Sequence, residues 1–356
     1  MSSFGSSNPD NLGKSNPEYV VARVRARRGA LYGDEEYRKL TRMSPAEIAR
    51  FMEESTYETE INALGTRHSG VDLIEYALNR NLASQFEAIL NWSKGRLYDL
   101  IARYLRKFDA WNVKTVIRGR YTDADRDAID VDLIRAGEFD ERRIRRLLET
   151  DSIEAVVEVL GDTIYGEPLE DAFAEYEESG VLVPLENAID RAFYDHLLKG
   201  LGSDKPTRQY EKFLKAEIDF RNARNALRLA RSGANIDPAE YFIEGGTLFT
   251  REQLSRLARS LDELVEHIDE SQYVDDLGPA LRELEKADSL IAFEHAADAA
   301  LLAYGDRLGT IHPVSVTPVI SYILAKEREV ENIRAIARGK EAGLSATEIE
   351  EELVIT

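Results

Sequence analysis

The sequence predicts an all-α protein made of three similar helical domains. Apolar residues recur at helical spacing along most of the chain, as in LYDLIARYLRKF at 97–108 and EQLSRLARSLDELVEHI at 252–268. The two-residue alternation of a half-buried strand is absent over any useful length. One phrase of acid, asparagine and arginine occurs three times at even spacing, and this repetition predicts an internal triplication.

Helix-starting signals support the all-α prediction. Ser44 is followed by Pro45 at the first helical position and by Glu47 three residues after the serine, which is the pattern of a capping box. Asp237 followed by Pro238 opens a further helix in the same way.

The repeated phrase joins an acidic residue, an asparagine three residues later and an arginine six residues after the asparagine. Its copies are DAWNVKTVIRGR at 109–120, DFRNARNALRLAR at 219–231 and EVENIRAIARGK at 329–340, so the asparagines are 110 residues apart. The third copy departs from the others by having glutamate in place of aspartate. The nine phrase residues are Asp109, Asn112, Arg118, Asp219, Asn222, Arg228, Glu329, Asn332 and Arg338.

The acid and the asparagine of each phrase lie on the apolar face of their helix. At about 100° per residue, Asp109 falls in the middle of the stripe formed by Val113, Val116 and Ile117. A carboxylate there is costly unless it is hydrogen-bonded. We therefore expect the acid and the asparagine to bind a neighbouring helix terminus or backbone within each copy, and the arginine to reach terminal carbonyls or an acid. The alternative is that three equivalent functional sites line a shared surface.

Similarity outside the phrases sets the predicted domain boundaries. The segment 134–165 resembles 243–274 with a slip of one residue, and 40–61 is a shorter echo of both. We predict a disordered tail at 1–17 and helical repeats at 18–121, 122–232 and 233–356, the last ending in the short amphipathic helix SATEIEEELV.

The charge balance excludes one class of partner. The chain has 66 acidic and 46 basic residues, a net charge of −20, and only 12 of the basic residues are lysine. Nucleic acid needs a cationic face, so it is excluded as a partner. Acidic residues spread over the whole chain with few lysines are typical of a protein from a high-salt cytoplasm, and a merely acidic soluble protein is the alternative.

Other compositional features favour a cytoplasmic protein. Zero cysteines exclude disulfides and thiolate metal sites. No run approaches the length of a transmembrane helix, and the polar first seventeen residues lack the apolar region of a signal peptide.

The candidate motifs for calcium, phosphate and metal binding each lack residues that the motif requires. Asp123, Asp125 and Asp127 have EF-hand spacing, but Ala128 and Ile134 occupy the positions that need Gly and Glu. GKS at 13–15 lacks the earlier glycine of a phosphate loop, and no two histidines have metal-ligand spacing. We expect no catalytic residue, no cofactor, no metal and no direct nucleotide binding.

Two arginine clusters are interpreted as solvated helix faces, with contact to a partner as the alternative. They comprise Arg23, Arg25, Arg27 and Arg28 near the start, and Arg142, Arg143, Arg145 and Arg146 in DERRIRRLLE.

The three phrases and the segment HPVSVTPVISYILAKEREVENIRAIARGKEAGLSATEIEEELV at 312–354 resemble the C subunit of archaeal A-type ATP synthases, a family related to the d subunit of V-type ATPases. The opening YVVARVRARRGAL at 19–31 resembles the first helix of that family, and the resemblance covers about residues 18–354. The matching positions of the closing pattern are Pro318, Tyr322, Lys326, Glu327, Glu329, Asn332, Arg334, Arg338, Gly339 and Lys340.

The resemblance implies a fold and a function that composition and periodicity do not reveal. It implies three helical domains around a pseudo-threefold axis, forming a funnel on the cytoplasmic face of the membrane proteolipid rotor ring. The funnel would receive the central-stalk subunits D and F and transmit torque without chemistry of its own. The alternatives are a triplicated helical scaffold of another complex and an enzyme with an unrecognised helical site.

The acidic composition predicts that the fold depends on salt. Molar KCl shortens the screening length from about 10 Å at about 0.1 M to about 3 Å at about 1 M, which weakens the self-repulsion of a chain with a net charge of −20. Thermal unfolding followed by circular dichroism should therefore show a lower midpoint at about 0.1 M than at about 3 M KCl. Equal midpoints at low and molar salt would contradict a halophilic origin.

Overall fold

A computed structural model describes residues 13–232, 237–286, 290–351 and 353. Within these residues every regular element is helical and no strand occurs, so the all-α prediction is confirmed. The chain divides into two compact units, one holding residues up to 159 together with those from 318 on, the other holding 160–317. The predicted boundaries after 121 and 232 each fall inside a unit. The division into three similar domains around an axis stays a prediction.

One long helix of the first unit contacts five others. Helix α5 is 23 residues long and packs against α1, α3, α4, α6 and α8. It buries apolar side chains that include Ile74, Leu78 and Phe86. The helices of this unit are α1 Pro17–Arg28, α2 Asp34–Leu40, α3 Pro45–Glu53, α4 Glu58–Leu64, α5 Gly70–Trp92, α6 Gly95–Leu105, α7 Lys107–Tyr121, α8 Arg126–Val131, α9 Glu141–Leu148, α10 Ile153–Leu160, α18 Thr317–Glu341 and α19 Ala346–Glu351.

Two long helices of this unit end in the same way. A Cβ atom on Gly119 of α7 would lie 2.5 Å from the end of the Ile129 side chain, and one on Gly339 of α18 would lie 2.8 Å from Ile349. Both isoleucines are buried and lie ten residues after their glycine. The missing side chain therefore lets the short helices α8 and α19 pack closely against the helix before them. The predicted C-terminal helix is present as α19.

The second unit contains two helical hairpins and the long helix α13. Helices α11 and α12 pack together, α16 packs on α17, and α13 contacts α14, α15 and α17. Gly180, at a φ of +70°, ends α11 in the left-handed conformation that a glycine adopts at low cost. The helices are α11 Gly166–Ser179, α12 Val183–Leu198, α13 Lys205–Ser232, a 3-10 helix Pro238–Tyr241, α14 Arg251–Leu257, α15 Leu261–Asp269, α16 Val274–Lys286 and α17 Leu290–Ile311.

The prediction of a disordered tail at 1–17 is wrong for its last residues. The Asn16 side chain donates to the Trp92 carbonyl at 2.8 Å and accepts from the Lys94 N–H at 2.9 Å. The Ser15 hydroxyl accepts from the Leu97 N–H at 3.3 Å, and Pro17 begins α1. The segment is ordered because it satisfies backbone groups where α5 ends and α6 begins. Residues 1–12 lie outside the described residues.

No helix within the described ranges is both long enough and apolar enough to cross a membrane.

Candidate functional site

The three repeated phrases lie on α7, α13 and α18, and their acid and asparagine side chains are all buried. The exposed fraction does not exceed 3% at any of these six residues. The arginine of each phrase is exposed. Helical spacing therefore predicts correctly which face each phrase residue occupies. The buried residues are Asp109, Asn112, Asp219, Asn222, Glu329 and Asn332, and the exposed ones are Arg118, Arg228 and Arg338.

Each of the first two asparagines binds both backbone groups of one buried isoleucine. The Asn112 amide donates to the Ile134 carbonyl and accepts from the Ile134 N–H, both at 2.8 Å. Asn222 makes the same pair of bonds with Ile243, at 2.8 Å and 3.0 Å. Neither isoleucine lies in a helix, so its backbone needs partners from elsewhere. A carboxamide supplies a donor and an acceptor together, which explains why an asparagine occupies this position.

The first two acids bind consecutive N–H groups of the same chain segments. Asp109 accepts from the N–H of Glu138 at 2.7 Å and from that of Phe139 at 3.0 Å. These residues directly precede Asp140, the N-cap of α9. The acid and the asparagine of α7 thus hold residues 134–139, which we call the first loop segment.

Asp219 holds the second loop segment, residues 243–248, in a corresponding way. It accepts from the N–H groups of Thr247 and Leu248 at 2.7 Å and 2.8 Å, and from the Thr247 hydroxyl at 2.8 Å. The Tyr273 hydroxyl donates to the same carboxylate at 2.9 Å. This loop segment leads to Thr250, the N-cap of α14. We call each set of acid, asparagine and loop segment a clasp.

A glycine in each loop segment allows the acid to approach. A Cβ atom on Gly137 or on Gly246 would lie 2.1 Å from the nearest carboxylate oxygen of Asp109 or Asp219, respectively. Real Cβ atoms do not come this close to a neighbour, so both positions require glycine. These two glycines are not among the residues that the repeated phrase predicts. A sequence signal for them does exist. In IRAGEF at 134–139 and IEGGTL at 243–248, Gly137 and Gly246 each lie three residues after the isoleucine that the asparagine binds.

The third phrase binds a different set of groups. Glu329 accepts from the Tyr32 N–H and from the Tyr57 hydroxyl, both at 2.6 Å. Lys326, which is 1% exposed, donates to Glu329 at 2.6 Å and to Tyr57 at 2.8 Å. Burial lowers the pKa of Lys326, while the charge of Glu329 raises it. Burial also raises the pKa of Tyr57, as does Glu329. The tyrosine therefore stays a donor, and glutamate in place of aspartate forms a buried ion pair.

The structure shows a backbone partner for the acid and the asparagine of the first two phrases and for the acid of the third, but in each case the partner lies outside the predicted copy that holds the phrase. Asn112 and Asn222 bind residues that follow the predicted boundaries after 121 and 232. Glu329 binds Tyr32 and Tyr57, which belong to the first predicted copy. Helices α7 and α13 therefore bind the first residues of the predicted copy that follows them in the sequence. Helix α18, which carries the third phrase, binds residues of the first predicted copy. The spacing of the phrases does not predict these partners, because each hydrogen bond connects residues on opposite sides of a predicted copy boundary.

The predicted acid partner is found for two of the phrase arginines. Arg228 binds Glu294 through two nitrogens, one of them at 2.6 Å. Arg338 binds Glu75, and it binds Asp132 at 2.9 Å. Both arginines are about half exposed, so each pair contributes at most about 1 kcal/mol to stability.

The first arginine cluster has two exposed and two half-buried side chains. Arg23 and Arg27 lie over the Trp92 ring, with distances to the ring centre of 4.9 Å and 4.3 Å. Arg28 donates to the Ser321 hydroxyl at 2.7 Å, and Arg25 is exposed. The interpretation as a solvated face stays a prediction for the exposed Arg23 and Arg25, whereas Arg27 and Arg28 are half-buried and are held by a cation–π contact and a hydrogen bond.

The second cluster is mostly exposed. Arg143 donates to the Val159 carbonyl at 3.3 Å and lies over the Phe139 ring. Arg142, Arg145 and Arg146 are exposed on α9. Among the described residues, no group of three or more His, Asp or Glu side chains could hold a metal ion.

Replacing Gly137 by alanine should disrupt the first clasp. The new methyl group would overlap the Asp109 carboxylate, which is buried and cannot move without losing its two N–H donors. We expect a loss of at least about 3 kcal/mol in the free energy of unfolding, measured with denaturant in molar KCl. Gly29→Ala is the control, since its Cβ would lie 3.6 Å from the nearest atom and its φ is −67°. Equal stability of the two variants would contradict the close approach.

Asp109 should make stability depend on pH. Burial raises its pKa from 3.8 to about 7, although the N–H groups of Glu138 and Phe139 lower it. Between pH 3.8 and about 7, Asp109 is therefore protonated in more of the folded molecules than of the unfolded ones. The contribution of Asp109 is therefore fully present below pH 3.8 and is lost as the pH rises through 7, by up to about 4 kcal/mol.

Asp109→Asn cannot titrate, so its free energy of unfolding should not show this part of the decline when measured from about pH 4 to about pH 8. The exposed Asp151→Asn should keep the wild-type dependence. If Asp109→Asn and the wild type show the same slope, burial does not control this carboxyl.

Comparison with known proteins identifies the family. The family described as ATP synthase (C/AC39) subunit matches residues 20–352. The C subunit of the A-type ATP synthase of Halorubrum lacusprofundi is 84% identical over 345 residues, which are 97% of this chain and 99% of that protein. Its counterpart in Haloferax volcanii is 69% identical, over 96% and 99% of the two chains. The counterpart in Methanosarcina mazei is 34% identical, over 96% and 94%.

Two of these relatives come from haloarchaea, in agreement with the predicted halophilic character. The match to the family spans nearly the whole chain and includes all three phrases. The chain belongs to the ATP synthase (C/AC39) subunit family.

Proposed function

We propose that the chain is a non-catalytic rotor subunit of an A-type ATP synthase. In this proposal it lies on the cytoplasmic face of the membrane, between the central-stalk subunits D and F and the proteolipid ring. It passes torque from the ring to the stalk during ion-driven ATP synthesis. Membership of the family supports its place in the complex.

The clasps are the observation that favours a mechanical role. A subunit that transmits torque must resist deformation, and a buried hydrogen bond resists it because the bond fails when its atoms move apart. Asp109 and Asn112 hold a loop segment with four bonds to backbone groups. Moving that segment would leave buried donors without acceptors, at about 1–3 kcal/mol each.

The third phrase adds contacts between α18 and a residue near the start of the sequence. Glu329 and Lys326 of α18 bind Tyr57, which follows α3 near the start of the sequence. Removing one charge of the buried Lys326–Glu329 pair costs about 3–5 kcal/mol, and the same two side chains bind Tyr57 through hydrogen bonds. Contacts with the stalk and with the ring need not be strong individually, because simultaneous engagement raises the effective affinity.

The proposal predicts that, without this chain, ATP hydrolysis in the catalytic head is no longer coupled to ion transport through the membrane ring. Inverted membrane vesicles from cells without the chain should neither build an ion gradient from ATP nor make ATP from a gradient, although the catalytic head should still hydrolyse ATP. Adding the purified chain should restore both processes, and a tagged chain should co-purify with subunits D and F and with ring subunits. Gradient-driven synthesis that persists without the chain would contradict the proposal.

A further inference from the structure

Three short helices of the fold are versions of one element. Helices α3, α9 and α14 each begin at an N-cap whose side chain accepts from the N–H three residues later. Each buries an apolar side chain four residues after the N-cap. The helices can therefore be compared position by position from their N-caps. The N-caps are Ser44, Asp140 and Thr250, and the buried residues are Ile48, Ile144 and Leu254.

Only α9 carries arginine at the second and fifth positions after the N-cap. These positions hold Ala46 and Ala49 in α3, and Glu252 and Ser255 in α14. In α9 they hold Arg142 and Arg145. The element folds with alanine, glutamate or serine there, so its fold does not require these two arginines. The sixth position differs from them, because all three helices have arginine there, namely Arg50, Arg146 and Arg256.

The side chains of Arg142, Arg145 and Arg146 form one cationic face, which we call the α9 arginine face. Residues three and four apart on a helix are neighbours, so the three positive charges are close together and repel one another. All three are exposed, and no ion pair or ring contact holds their side chains in the part of the chain that the structure describes. The nearest acids along the sequence have other partners, since Glu141 binds Arg135 and Glu149 lies near Arg126.

The chemistry of this face selects among partner classes. An anionic membrane is recognised by clusters of about four to eight basic residues, and the rest of a chain with a net charge of −20 would be repelled by it. The same net charge opposes nucleic acid. Guanidinium groups bind carboxylates through two parallel hydrogen bonds, and such short contacts withstand the screening of a high-salt cytoplasm better than distant charges do.

We propose that the α9 arginine face docks a carboxylate-bearing surface of a partner protein, with Arg142 and Arg145 as the residues that determine this contact. The inference rests on the proposed function only for the source of the partner, which is then another subunit of the same complex.

Binding measurements with Arg142→Ala/Arg145→Ala test this interface. These substitutions introduce the residues that α3 has at the same positions, so the fold should be kept. The control is Arg256→Ala/Arg259→Ala, which removes the same charge from two exposed arginines, one in α14 and one just after it. The probes are the purified D–F subcomplex and the purified proteolipid ring from the same organism, each in molar KCl. We expect the test variant to raise the Kd for one probe at least about tenfold, with the control near the wild-type value.

A chemical cross-link tests the carboxylate directly. Arg142→Lys places a primary amine on the α9 arginine face, and a water-soluble carbodiimide joins an amine to a carboxylate only in direct contact. Peptide mapping should find position 142 joined to an Asp or Glu of the probe that the first experiment identifies. Arg256→Lys should give no such adduct.

The outcomes separate the two proposals. A wild-type chain that binds neither probe refutes the proposed function. A wild-type chain that binds while the test variant binds equally well, with no adduct at position 142, overturns the inference alone. Vesicles of phosphatidylglycerol serve as a third probe. If the test variant loses binding to these vesicles alone, the face is a membrane contact and the inference is also overturned.

Discussion

The fold depends on how two partly buried, non-helical stretches of backbone are satisfied. The loop segments 134–139 and 243–248 begin at the buried Ile134 and Ile243 and have no helix or sheet to accept their N–H groups. A buried N–H group without an acceptor destabilises the folded state by more than one or two apolar contacts stabilise it. An aspartate and an asparagine one helical turn apart supply the missing partners, and the neighbouring glycine makes room for the aspartate. The short helices α9 and α14 are positioned by these bonds.

The same requirement explains why the phrase tolerates variation in one place and not in another. Where a loop segment must be held, the acid is aspartate and its oxygens face consecutive N–H groups. At Glu329 the longer side chain instead meets a lysine and a tyrosine, so charge neutralisation replaces part of the backbone binding. The arginines lie outside these clusters, on the exposed side of the helices, and Arg228 and Arg338 pair there with Glu294 and Glu75.

Local periodicity made the helices and the burial of the phrase residues predictable. At 3.6 residues per turn, Asp109 and Asn112 must share a face with Val113 and Val116, whatever the tertiary structure. The partner Ile134 could not be predicted in the same way, because its bonds to Asn112 depend on a return of the chain that no local pattern encodes. The same holds for Arg27, which charge patterning assigns to solvent and which in fact lies over Trp92. Aromatic contacts of this kind depend on packing between helices that are distant in sequence.

The discontinuity of the first unit has a consequence for synthesis on the ribosome. Glu329 reaches Tyr32 and Tyr57 across 297 and 272 residues, so these bonds cannot form until nearly the whole chain has left the exit tunnel. Residues 160–317 form a continuous unit whose contacts close earlier. The opening helices must wait, incompletely packed, while the second unit emerges and folds. Such late, long-range closure slows folding and extends the time during which apolar surface is open to chaperones or to aggregation.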